Sequence, residues 1–174
     1  MMKDKGFTLI ELMIVASIIV ILAAVAIPSL IRSKMAANET NAIGALRTLT
    51  SAEINFQGIC VIDADNDGTG EYGSFAQLSN AGPAYVDDSL GSAQKAGYFF
   101  MITTIGVADS DEIVWEATAY PVSKSRTGNK TFYIDEGGVL RGKDIGGAVA
   151  TMGTPATRAL AVPSSGGDFP PIGQ

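Results

Sequence analysis

The chain has 174 residues, with 12 basic and 18 acidic side chains, a formal charge of −6, one cysteine and no histidine. The length suits one compact domain with a real core, and an apolar fraction of 47% with a positive mean hydropathy is too high for a disordered chain. The acidic balance argues against a nucleic-acid partner, the missing histidine removes Ser-His-Asp, Cys-His, His-zinc and proximal-haem chemistry, and the lone Cys60 excludes an intrachain disulfide.

The apolar residues are concentrated at the start. Phe7 to Ile27 read FTLIELMIVASIIVILAAVAI with one ionisable side chain, Glu11, and no charge occurs from Leu12 through Ile31. A helix over that stretch spans roughly 32 Å, enough for a hydrocarbon core, and its apolar residues point in every direction rather than along one face. Lys3 and Lys5 precede it and most of the chain follows it, which predicts a single span with the N-terminus cytoplasmic. A secretory signal peptide is the alternative, but the run is longer than such a core and Pro28 and Ser29 follow it without an A-x-A-like cleavage site. Glu11 stands out: a carboxylate near one membrane boundary costs about 1–3 kcal/mol. It calls for a partner, unless it snorkels to the headgroups or is protonated, and none is evident within the span.

The residues Gly6-Phe7-Thr8-Leu9-Ile10-Glu11 after a short basic leader resemble the prepilin signal of type IV pilins and of the pseudopilins of type II secretion. The resemblance implies that a prepilin peptidase cuts between Gly6 and Phe7 and methylates the new Phe7 terminus. It also implies that Glu11 meets the free amine of a neighbouring copy and so sets the stagger between packed helices. An uncompensated charge in the bundled core is expensive, so such a pair selects one register. Pro28 extends the likeness to the end of the apolar run and favours a kink by removing a helix hydrogen bond. One departure is Val20, where many members carry a glycine associated with helix melting during assembly.

From Ser29 to Gln57 the pattern stays helical but becomes polar, with Met35, Ala42, Leu49 and Phe56 seven apart and Leu46 between them. The stripe is read as packing on the chain's own head rather than as a dimeric coil, with Gly44 inside it and Gly58 as the stop. Next comes Asp63-Ala64-Asp65-Asn66-Asp67-Gly68-Thr69-Gly70-Glu71, whose D-x-D-x-D-G spacing matches the start of a calcium loop. Its twelfth position is Ser74 instead of the bidentate glutamate, so Asp63, Asp65 and Asp67 with Glu71 are the candidate calcium ligands of an incomplete motif. A plain solvated turn is the reading favoured here, and Cys60 is expected as a small buried residue at the helix end.

Ser74 and Gln77 form a capping-box pattern that predicts a short helix through about Asn80. Gly97–Thr103, Ile113–Tyr120 (closed by Pro121) and Thr131–Ile134 read as strands, and Glu136-Gly137-Gly138 turns the last toward Val139-Leu140-Arg141. Trp115, Tyr98, Phe99 and Phe132 are core or sheet-face residues on this reading. YGSFAQL, GYFF, AYPVS and FYIDEGGVLR also resemble stretches of pilin-like heads. From Asp144 to Gln174 the composition shifts to Gly, Ala, Pro, Thr and Ser, an extended tail that could drape on the sheet edge or touch a neighbouring copy.

The expected architecture is therefore α+β, a long N-terminal helical spine packed on a small antiparallel sheet. It divides into a leader over 1–6, a membrane-spanning or filament-core helix over 7–28, an amphipathic half over 29–57, a head over 58–143 and a tail over 144–174. The resemblance implies a non-enzymatic filament subunit, made as an inner-membrane precursor in lipid and matured into an extracellular pilus. Its partners would be further copies, the prepilin peptidase and an inner-membrane assembly platform. The alternatives are a periplasmic secretion pseudopilin and, more remotely, an anchored calcium-binding domain.

Overall fold

The computed structural model describes residues 6–64, 66–104, 114–144 and 170–172. A helix α1, Leu9–Gly58, is followed by α2 (Phe75–Asn80), α3 (Asp88–Gly91) and strands β1 (Gln94–Lys95), β2 (Tyr98–Thr104), β3 (Trp115–Pro121), β4 (Lys130–Asp135) and β5 (Arg141–Asp144). This is the expected α+β arrangement of a long N-terminal helix and an antiparallel sheet. Two compact units divide at Lys34 and Met35.

In the first unit the helix is bare. Leu12, Ile14, Ile18, Val20, Ile21 and Val25 are all exposed, and the helix is long and apolar enough to cross a membrane. Its polar atoms are satisfied internally, Ser17 Oγ donating to the Met13 carbonyl at 2.8 Å. The helical assignment continues through Pro28, inside the element.

In the second unit α1 buries one face, made of Ala42, Ala45, Leu46, Leu49, Ala52, Glu53 and Phe56. Spacings of three and four put these side chains in one line, and Met35 is half-buried at its start. The sheet runs in sequence order, every neighbouring pair antiparallel. Its register stacks two columns, Phe100–Ala119–Phe132–Gly142 and Ile102–Ala117–Ile134. Large residues alternate with small ones across the strands, so the sheet offers an interlocking surface to α1. These residues join Leu46, Leu49 and Phe56 in one core cluster, with Ile102 partly buried against it. A Cβ on Gly142 would lie 2.9 Å from Phe132 and 2.4 Å from Ile172, which explains the smallest residue at that end of the column.

Several expected boundaries shift. Gln94–Lys95 is an added edge strand, joined to β2 by Ala96 and Gly97 at φ 49° and 76°, the two left-handed residues of a tight hairpin. The last strand begins at Arg141 rather than Val139: Gly138 N–H donates back to the Asp135 carbonyl at 2.8 Å, and Val139 and Leu140 are used in leaving the turn, with Leu140 buried in the core. Ile113 lies outside the described residues, as does most of the tail. Of the tail, Pro170–Ile172 runs beside β5, with Gly142 N–H donating to Pro170 O and Ile172 N–H to Leu140 O. Cys60, expected to be buried, is exposed. It sits at φ 50° just past the helix, its N–H on the Gln57 carbonyl at 2.9 Å, so the chain reverses there and the thiol lies at the surface against the acidic loop, on the Gly68 carbonyl at 3.5 Å.

Candidate assembly site

The candidate residues at the start of α1 form a closed local motif. Thr8 is the residue before the first helical turn. Its Oγ1 accepts from the Glu11 N–H at 3.3 Å, while Glu11 Oε2 accepts from the Thr8 N–H at 2.9 Å and from the Thr8 hydroxyl at 2.6 Å. This is a capping box, in which two otherwise orphaned backbone donors of the first turn are satisfied reciprocally. The spacing Thr8-x-x-Glu11 announces it, so Glu11 has a partner within its own chain, against the expectation of none. The carboxylate is also placed favourably at the positive end of the helix dipole. Both bonds go to Oε2, which leaves Oε1 to accept a donor from outside. Phe7 is 80% exposed and Gly6 precedes it in an open stretch, so the bond between them is accessible. Pro28 lies within the helix, remote in sequence from this tip.

The acidic loop is held by its own backbone. Asp63 Oδ1 and Oδ2 accept from the N–H groups of Asp67 and Gly68, both at 3.2 Å. Asp67 Oδ1 accepts from Thr69 N–H at 2.7 Å, and Glu71 Oε1 from Ala64 N–H at 3.0 Å. Asp65 lies outside the described residues. Among the described residues no group of three or more His, Cys, Asp or Glu could hold a metal ion. The loop's Gly70 is pressed on the end of α1, where a Cβ would lie 2.1 Å from the Gln57 carbonyl oxygen.

The membrane-distal half of α1 also grips the head through polar side chains. Asn38 Nδ2 donates to the Thr127 carbonyl at 2.8 Å. Glu39 Oε1 accepts from the N–H groups of Asn129 and Lys130 at 3.0 and 3.4 Å. These contacts fasten the connection between β3 and β4, where Gly128 approaches the Tyr98 hydroxyl so closely that a Cβ would lie 2.1 Å from it. The Tyr98 hydroxyl donates to the Lys130 carbonyl at 2.9 Å. Burial, and secondarily the Glu39 carboxylate, push its ionisation well above the ordinary tyrosine range.

The model of the prokaryotic N-terminal methylation motif matches residues 1–27. The type IV wide pilus major component PilA4 of Thermus thermophilus is 39% identical over 99 residues, 56% of this chain and 72% of that protein. A fimbrial protein of Moraxella nonliquefaciens is 35% identical over 120 residues, 63% of this chain and 73% of that protein. The type IV major pilin protein PilA of Myxococcus xanthus is 46% identical over 54 residues, 31% of this chain and only 24% of that longer protein. No solved structure matches the chain.

Proposed function

This chain belongs to the type IV pilin family, and on that footing we propose how it is processed and assembled. It is a structural subunit of a type IV pilus-like filament. The curated relatives are pilus and fimbrial proteins, which favours this reading over the secretion pseudopilin and the anchored calcium-binding domain. Its work is assembly rather than catalysis.

The precursor sits in the inner membrane with Lys3 and Lys5 on the cytoplasmic side. A prepilin peptidase cuts between Gly6 and Phe7 and methylates Phe7, and an inner-membrane platform then extracts the helix into a filament of like copies. The observation that carries the reading is the uncovered apolar helix with the Thr8–Glu11 box at its tip. Burying a Leu, Ile or Val side chain contributes roughly 1.5–3 kcal/mol, so this face is left in lipid or in contact with other helices and nowhere else. Cleavage leaves the Thr8 N–H in place and adds an amine one residue before it. Within one subunit Glu11 Oε2 is already engaged, while Oε1 remains to pair with the Phe7 amine of the next. That pairing turns a carboxylate costly in a bundled apolar core into the feature that fixes the stagger.

Glu11→Gln and Glu11→Ala separate the two uses of this side chain. The amide keeps an acceptor for Thr8 and lacks the charge. Both variants are expected to accumulate in the inner membrane and to give few or no surface filaments by electron microscopy. Filaments from Glu11→Gln in normal number would leave capping as the role of Glu11 and overturn the pairing.

A further inference from the structure

Inside the head a second glutamate is handled differently. Glu53 falls seven residues after Leu46, on the line of the buried face of α1, and is fully buried. Its Oε2 accepts from the Gly73 N–H at 2.8 Å, and its Oε1 has no hydrogen-bond partner among the described residues. Among the described residues no lysine or arginine pairs with it. The titratable group facing it from the neighbouring segment is Tyr72, whose hydroxyl is raised by burial and then by the carboxylates of Glu136 and Glu53. Beside Tyr72, with ring centroids 5.9 Å apart, stands Trp115 of β3, whose buried Nε1 also lacks a partner among the described residues.

A neutral carboxyl group suits this setting better than a carboxylate: its carbonyl oxygen takes the Gly73 N–H and a neutral hydroxyl is left buried without an acceptor, which costs less than a charged oxygen buried bare. Gly73 is the contact through which the proton can be felt. It is packed against α1, its Cβ position 3.1 Å from Phe56 and 3.3 Å from Leu78, and it immediately precedes Ser74, the cap of α2. We propose that Glu53 is a buried proton switch: protonated, it holds the Tyr72–Ser74 segment against α1, and on losing its proton it releases that segment so that the carboxylate reaches water.

Burial raises the Glu53 carboxyl to about 7, with the Gly73 N–H acting in the opposite direction. Its ordinary value is 4.5, so the folded head keeps a proton that the unfolded chain releases. The contribution of this group is therefore fully present below pH 4.5, is lost as pH rises toward 7, and changes no further above that. Across that window the unfolding constant of the native chain should rise about 300-fold relative to a variant that cannot titrate.

The test uses full-length protein in detergent micelles and Glu53→Gln, which keeps an acceptor for Gly73. The single tryptophan, Trp115, reports the site. The native chain should show a fluorescence transition centred near pH 7 that Glu53→Gln lacks, and the ratio of their unfolding constants should change by the stated factor between pH 4.5 and 8. Amide exchange at Gly73 and Ser74 in the native chain, expressed as protection, needs no variant. It should fall above pH 7 while protection at Leu46 and Leu49 holds. The same transition in both proteins, or protection at Gly73 that is unchanged from pH 5 to pH 9, overturns the switch.

Discussion

Replacing Glu39 with alanine tests whether the amphipathic half of α1 organises the head through named hydrogen bonds as well as through its apolar stripe. The half-buried carboxylate accepts from Asn129 and Lys130 N–H groups, and its neighbour Asn38 donates to Thr127. Three bonds from two consecutive residues thus fix one connection between strands. Hydrogen bonds to a charged group contribute about 1.5–3 kcal/mol and neutral ones about 1 kcal/mol. Glu39→Ala should therefore cost about 2 kcal/mol, a fall in Tm of roughly 4–8 °C for a chain of this size. Asn38→Ala should cost about half as much. Glu39→Gln should fall between native and alanine, since it keeps the acceptor and loses the charge. The double variant should lose less than the two singles combined, because once the connection is released the second bond has little left to hold. Thermal unfolding of the full chain in detergent, followed by far-ultraviolet circular dichroism, measures all four. A Glu39→Ala chain melting within 1 °C of the native one, or strict additivity in the double variant, would refute the reasoning.

Leu46→Ala removes a fully buried side chain from the centre of the helix–sheet contact and should cost about 2–5 kcal/mol, read as a lowered denaturant midpoint. Gly128→Ala places a methyl group where the Tyr98 ring and hydroxyl already lie, so it should destabilise the head, and Tyr98→Phe in the same chain should recover part of the loss. Asp87→Ala should cost about 1 kcal/mol through the lost cap of α3, whereas Lys95→Ala, which breaks only an exposed ion pair, should change stability by less than about 1 kcal/mol. The Lys95 ammonium and Leu90 N–H lower the Asp87 carboxyl, so its contribution is present above its ordinary value and lost as pH falls below it. A stability profile of Asp87→Ala that parallels the native one into the acid range would contradict that.

The periodic and the punctuated parts of the fold were legible in the sequence. The apolar run, the stripe at Ala42, Leu46, Leu49 and Phe56, and the Ser74–Gln77 box each follow from local rules, and the structure places them as read. What escaped depended on tertiary placement or on a pattern passed over. A small thiol favours the interior, but a left-handed reversal over the end of α1 leaves Cys60 at the surface beside the acidic loop. Glu53 lies on the stripe, seven residues after Leu46, but its charge reads as a surface residue, and Gly73 with the neighbouring segment folding onto it completes its burial. The Thr8–Glu11 box is legible by the same spacing that marks α2, with Thr8 as the cap and Glu11 three residues on, and there the charge of Glu11 serves the cap. The hairpin at Ala96 and Gly97 lacked the Asn-Gly or Asp-Gly signal that identifies such turns.

The central claim is that Met1–Gly6 is a removable leader and that the mature chain from Phe7 assembles through the apolar part of α1. Intact-mass measurement of filaments sheared from the native host tests both parts in one sample. The account predicts fibres whose subunit begins at an N-methylated Phe7, with no mass corresponding to the uncut chain. A protein that keeps Met1 through Gly6 and is recovered only as membrane-bound monomer would contradict it.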